Sequence, residues 1–277
     1  MVTFPNAKIN LGLDIVEKRA DGYHNLETIF YPIAVQDVLE ATPRDDNADG
    51  NYSITMYNAP FEGKSEDNLV IKAYNALAVD FALPKLDFYL RKNIPTGAGL
   101  GGGSADAAFA LKMINEMASL SLSDDELERY AARIGADCAF FVRNRPAFAT
   151  GIGNILTPTE CSLKGYTLVL VKPDVHISTK DAYALVKPRK PEMCITDIVK
   201  RPVAEWRGLL KNDFEESVFA KYPEIAAIKE TLYSIGAEYA SMSGSGSSFF
   251  GIFKEEQDAA RMQEIFSGCY CKVMVLD

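Results

Sequence analysis

Apolar and polar residues alternate strictly along Leu86-Asp87-Phe88-Tyr89-Leu90-Arg91, placing Leu86, Phe88 and Leu90 on one face, which predicts a half-exposed strand. The same kind of pattern predicts strands over 7–16 and 27–39, joined by the polar turn Lys18-Arg19-Ala20-Asp21-Gly22, and another over 52–57. Helical spacing replaces it over 67–81, where Leu69, Ala73, Ala76, Leu77 and Phe81 form one apolar stripe. An alanine-rich run predicts a helix from Ser104, as its N-cap, to about Leu120. Ser123 and Glu126 have capping-box spacing for a further helix, which Gly135 is expected to close in the left-handed conformation. Residues 139–142 and 147–151 are expected as strands.

The pattern relaxes into a linker over 157–165, and a fresh apolar strand starts at Tyr166. Residues 223–235 read as a helix with proline in its first turn and Gly236 just past its end. Strands over 238–242 and 248–253 flank the loop Ser243-Gly244-Ser245-Gly246-Ser247, and a helix over 255–266 and a strand over 271–276 close the chain. The expected class is α+β with largely antiparallel sheets, divided into domains 1–156 and 157–277.

Composition narrows the function classes. A chain of 277 residues, 48% hydrophobic, can build one large core or two ordinary ones. A net charge of -9 argues against a nucleic-acid surface, although placed lysines and backbone dipoles can still attract phosphate locally. The five cysteines, Cys138, Cys161, Cys194, Cys269 and Cys271, lack metal-type spacing. The basic loop Lys187-Pro188-Arg189-Lys190-Pro191 reads as a solvated connection. The start MVTFPNAKIN has no leader pattern and no uncharged run is long enough to span a bilayer, so the expected setting is the cytoplasm, without a membrane partner.

The candidate chemistry centres on IPTGAGLGGGSADAA, residues 94–108. Glycines at 97, 99, 101, 102 and 103 leave backbone N–H groups unshielded ahead of a helix start, the arrangement of a phosphate cradle. Gly97, Gly99 and Gly102 satisfy G-x-G-x-x-G, yet Pro95 separates them from an alternating strand, whereas a dinucleotide fold feeds its glycines from a continuously apolar one. A Walker loop requires Gly-Lys-Ser/Thr, and here Gly103 is followed at once by Ser104. Neither His-Arg-Asp nor Asp-Phe-Gly of the protein kinases follows.

Three segments, PNAKINLGLDI, IPTGAGLGGGSADAA and MSGSGSSFFGIF, resemble in order the signature motifs of the GHMP small-molecule kinases, and the resemblance covers the whole chain. It implies a two-domain fold, with an N-terminal ribosomal-protein-S5-domain-2-like domain and a C-terminal ferredoxin-like α+β domain. Within that superfamily, Arg19-Ala20-Asp21-Gly22-Tyr23-His24-Asn25-Leu26 is similar to the branch that phosphorylates the 2-hydroxyl of 4-diphosphocytidyl-2-C-methyl-D-erythritol in the non-mevalonate isoprenoid pathway. The implied cosubstrate is ATP with Mg2+, the metal being held by the phosphates with Ser104 as a candidate contact.

The resemblance assigns ATP binding to Pro95, Gly97, Ala98, Gly99, Leu100, Gly101, Gly102, Gly103, Ser104 and, at the adenine, Asn68, which is equally a helix cap. Lys8 and Asp137 match the catalytic pair; by themselves they read equally as a snorkelling lysine and a turn aspartate. His24 is implied at the cytosine edge, with Tyr23 and Tyr183 stacking on its faces. Phe30 is implied as a pocket wall, and Asn10 as a contact to the diphosphate or the methylerythritol hydroxyls. Gly244 and Gly246 are expected to brace the site. One departure is Ala139, where the family usually has proline two residues after the catalytic aspartate. Two alternatives stand beside this reading: a GHMP kinase for mevalonate or homoserine, which gives no reason for Tyr23-His24, and a non-catalytic nucleotide sensor, which gives none for Lys8 with Asp137. The expected oligomeric state is monomer or homodimer.

Overall fold

The computed structural model describes residues 1–45, 47–58 and 63–276. In chain order it contains β1 (Val2–Thr3), β2 (Asn6–Lys18), β3 (His24–Gln36), β4 (Val38–Pro43), β5 (Tyr52–Tyr57), α1 (Leu69–Ala78), β6 (Leu86–Arg91), α2 (Gly102–Met117), α3 (Asp124–Ile134) and α4 (Phe140–Arg143). There follow β7 (Ala147–Thr150), β8 (Ile155–Pro158), β9 (Thr167–Lys172), α5 (Thr179–Ala182), α6 (Ile195–Ile198), α7 (Phe214–Lys221), α8 (Pro223–Ser234), β10 (Tyr239–Met242), β11 (Phe249–Phe253), α9 (Ala259–Ile265) and β12 (Tyr270–Val275). These form two compact units, one of residues 1–7, 35–96 and 101–145, the other of residues 8–34, 97–100 and 146–277. The unit boundaries at residues 7/8 and 34/35 fall within strands β2 and β3.

The first unit carries a sheet of order β1-β4-β6-β5, in which β6 pairs antiparallel with β4 and parallel with β5. Leu86, Phe88 and Leu90 are buried as their alternation predicts. Helices α1 and α2 pack together, α2 burying Ala105, Ala107, Ala108 and Ala110, whose small side chains permit a close approach.

Several local expectations are corrected here. Helix α2 begins at Gly102 behind Gly101, which has φ +70, so Ser104 lies inside the first turn and is not the N-cap. The left-handed glycine turns the chain into the helix earlier than a serine cap would. Gly135 ends α3 extended, with φ -172, not left-handed, as the chain runs out into a turn. Residues 139–142, expected as a strand, belong to that turn and the single-turn helix α4; a four-residue apolar run has no period that separates the two. The expected strand over 27–39 breaks at Asp37, whose buried carboxylate is drawn to the backbone N–H groups of Asn93 and Ile94. The last helix is confined to α9 because the side chain of Asp258 caps it, accepting from the N–H of Arg261.

The second unit carries sheets of order β2-β3-β7-β8 and β10-β11-β9-β12. In the latter every pair is antiparallel, and β9, α7–α8, β10, β11, α9 and β12 follow the split βαβ order of a ferredoxin-like domain. Its core joins Val169 and Val171 of β9 to Phe249 and Phe253 of β11, Val218 and Leu232 of the helices, and Leu13 and Ile15 of β2. No helix among the described residues is long and apolar enough to cross a membrane.

Candidate active site

In the second unit the glycine loop, β2 and the loop after β10 meet around one buried lysine. Lys8 is 3% exposed. Its ammonium donates to Asn10 Oδ1 at 2.6 Å and to the Gly99 carbonyl at 3.1 Å, and lies 4.9 Å from the centre of the Phe30 ring. Residues 8 and 10 share a face of β2 because a strand repeats every two residues. The Lys8 N–H also donates to the Leu100 carbonyl at 2.9 Å, tying the strand to the glycine loop. Asn10 spends the other end of its amide on Thr28 Oγ1 at 3.0 Å, and Thr28 donates to the Gly12 carbonyl. With both ends engaged, Asn10 orients Lys8.

The serine-glycine loop seals this cluster. Ser243 Oγ donates to the Gly99 carbonyl at 2.9 Å and accepts from the Asn10 N–H at 3.2 Å, while the Ser248 N–H donates to the Ala98 carbonyl at 3.2 Å. A Cβ on Gly99 would lie 2.0 Å from the Ser243 carbonyl oxygen, and Gly99 has φ +74, so only glycine fits there. Asn212 supports the same loop, donating to the carbonyls of Met242 and Gly244.

The second group comprises Tyr23, His24 and Tyr183. Tyr23 is 63% exposed, on a turn held by the Arg19–Asp21 ion pair and by Asn25 donating to Glu17 at 2.6 Å. The His24 and Tyr183 rings stack directly on one another, centroids 4.7 Å apart and 25° between planes, and Phe214 meets Tyr183 edge-on. His24 therefore covers one face of Tyr183, where the family resemblance puts the base. Burial first, and Lys18 second, lower the pKa of His24, favouring the neutral ring with one donor and one acceptor nitrogen.

In the first unit Ser104 stands at the third position of α2, among N–H groups that have no partner within the helix. Its side chain bonds the thiol of Cys138, which burial raises to about 11, an inert packing thiol beside Asp137. Asp137 is half-buried in the turn before α4, and Pro95 is half-buried where the loop begins. Asn68 caps α1, accepting from the Val70 N–H at 2.9 Å and donating to Met56 Sδ. Ala139 has φ -60, within the range that a proline ring imposes.

Residues 68–145 match the family model of the GHMP kinases N terminal domain, and residues 195–271 match that of the GHMP kinases C terminal. A 4-diphosphocytidyl-2-C-methyl-D-erythritol kinase from Bacteroides fragilis is 56% identical over 271 residues, covering 98% of both chains. The chain belongs to the 4-diphosphocytidyl-2-C-methyl-D-erythritol kinase family. A crystal structure of 4-(cytidine 5'-diphospho)-2C-methyl-D-erythritol kinase matches all of both chains with a TM-score of 0.80 at 29% identity. The mevalonate kinase of Methanococcus jannaschii reaches a TM-score of 0.71 at 13% identity over 100% of this chain and 98% of its own, which shows a shared fold and leaves the acceptor open.

Sequence reasoning missed the residues that hold this family's motifs in place. Thr28 and Asn212 bear no local signature of their role, since each acts on a backbone or side chain distant in sequence, and the third motif marks the loop of Ser243 without marking its hydroxyl's partners. Asp37, Lys92 and Asp106 were equally invisible: in the first unit Lys92 bridges the two buried carboxylates, contacting Asp37 Oδ2 and lying 2.6 Å from Asp106 Oδ2.

Proposed function

We propose that this chain transfers the γ-phosphoryl group of ATP to the 2-hydroxyl of 4-diphosphocytidyl-2-C-methyl-D-erythritol, giving the 2-phosphate and ADP. The observation that carries this reading is 56% identity, across 98% of the chain, to a kinase named for that acceptor. The geometry supports it with an ammonium held by two acceptors against the glycine loop.

Phosphoryl transfer passes through a loose transition state, so the protein's work is positioning and charge neutralisation. Backbone N–H groups of Gly97, Ala98, Gly99, Leu100, Gly101, Gly102, Gly103 and Ser104 cradle the triphosphate, with Pro95 and Asn68 toward the adenine. Lys8, oriented by Asn10 and Gly99, neutralises charge at the transferring group. Asp137 orients the acceptor hydroxyl and takes its proton. The Ser104 hydroxyl, placed in the first turn of α2, would be the protein contact for a magnesium ion carried with ATP, which would supply charge neutralisation to the transferring phosphates. Cytosine rests on the exposed Tyr23 ring with its edge to neutral His24, which Tyr183 backs, and Phe30 walls the pocket. The reaction runs in the cytoplasm, with no nucleic-acid or membrane partner, on a monomer or homodimer of domains 1–156 and 157–277.

Purified protein with ATP, magnesium and this acceptor is expected to yield ADP and one new phosphomonoester signal by phosphorus NMR, coupled to the methylerythritol carbon skeleton. ADP release without that signal contradicts the reading.

A further inference from the structure

A glycine loop is entropically costly to hold still, and the two places where it joins regular structure are the end of β6 and the start of α2. Both are fastened by one buried ionic group in the first unit. Asp37, fully buried in the break between β3 and β4, accepts the N–H groups of Asn93 at 2.6 Å and Ile94 at 2.8 Å through Oδ1. Its Oδ2 takes the ammonium of Lys92, whose side chain is 8% exposed. The same ammonium reaches Asp106 Oδ2 at 2.6 Å, on the second turn of α2. A Cβ on Gly102 would lie 2.9 Å from Ile94 Cγ2 and 3.4 Å from Lys92 Nζ, so the helix start is pressed against the strand exit.

Taking two carboxylates and an ammonium out of water is costly, and packed apolar side chains would stabilise the fold at least as well. Burial pushes the Asp106 carboxyl up against the pull of Lys92, and its Oδ1 is buried with no hydrogen-bond partner among the described residues. What this arrangement supplies in return is direction. Two N–H bonds fix the backbone immediately before Pro95, and the shared ammonium fixes the helix relative to it.

We infer that Asp37, Lys92 and Asp106 form a buried ionic clasp that sets both ends of the glycine loop, making Lys92 a positioning residue that acts on nucleotide binding through the loop. This rests on the ATP-binding reading above. Its test is Lys92→Met, with ATP affinity measured by calorimetry without acceptor and KM measured for both substrates. The clasp predicts an ATP Kd and KM raised ~10- to 100-fold, the loss of one or two charge-assisted bonds, with the acceptor KM within about twofold. A purely structural role lowers the melting temperature and the active fraction and leaves both KM values alone, and that result overturns the clasp. If Lys92→Met does not fold, Asp106→Asn, which keeps the Asp37–Lys92 pair, is expected to raise the ATP Kd about fivefold; an unchanged Kd overturns it. Wild-type protein that binds ATP yet does not phosphorylate the cytidine-diphosphate acceptor contradicts the proposed function alone, whereas wild-type protein that binds no ATP contradicts both.

Discussion

Lys8 shows how much a single residue depends on its neighbours. Its burial would be punishing without the Asn10 and Gly99 acceptors, and those same bonds aim it. Lys8→Met and Asp137→Asn are each expected to lower kcat by about 10²- to 10⁴-fold with circular dichroism unchanged; near-normal turnover in either variant removes that residue from the mechanism. Asp14 presents the opposite balance. Burial, then Asp213 and Glu27, raise its carboxyl to about 7, with Arg189 and Lys211 opposing. A folded-state pKa above the unfolded one means the folded chain prefers the protonated acid, so the penalty is absent below about pH 4 and grows as pH rises to about 7. Asp14→Asn should therefore raise the melting temperature relative to wild type at pH 8 and not at pH 4, as thermal unfolding at the two pH values will show. Equal shifts at both contradict the assignment.

At the scale of elements, the strength of a sequence signal tracked how local its cause was. The alternation of β6 and the capping box of Ser123 and Glu126 are both present as expected, because each is decided within a few residues. The start of α2 was misjudged since Gly101, a residue with no side chain to signal a cap, does the turning. The helical state of Phe140 to Val142 depends on tertiary burial that no period encodes. The glycine loop itself was legible as a phosphate cradle, but the clamp on it was not, because the Ser243 carbonyl approaches Gly99 from 144 residues away. Gly99→Ala meets both that oxygen and a left-handed φ, so it should cost about 2 kcal/mol or more of stability and weaken ATP at least ~10-fold; calorimetry and chemical denaturation report each. Ala139→Pro should do the reverse. Its φ already matches the ring, so the variant should keep full activity and hold or gain up to about 1 kcal/mol of stability.

For the whole molecule, two α+β units and a net charge of -9 are compatible with any of several small-molecule kinases. A mevalonate kinase shares the fold at 13% identity, so architecture cannot name the acceptor. The acceptor was nonetheless legible in one short stretch, Arg19 to Leu26, and the 56% identity to a Bacteroides fragilis kinase agrees with it. Less legible was how the aromatic groups arrange themselves, since the His24–Tyr183 stack joins residues 159 apart in the sequence. The central claim is tested most directly by comparing kcat/KM for 4-diphosphocytidyl-2-C-methyl-D-erythritol, mevalonate and homoserine with one enzyme preparation and saturating ATP. The cytidine-diphosphate acceptor is expected to exceed both by at least ~10³-fold, the discrimination available when a site's polar groups are left unpaired by the wrong substrate. Equal or better use of mevalonate or homoserine would contradict the account.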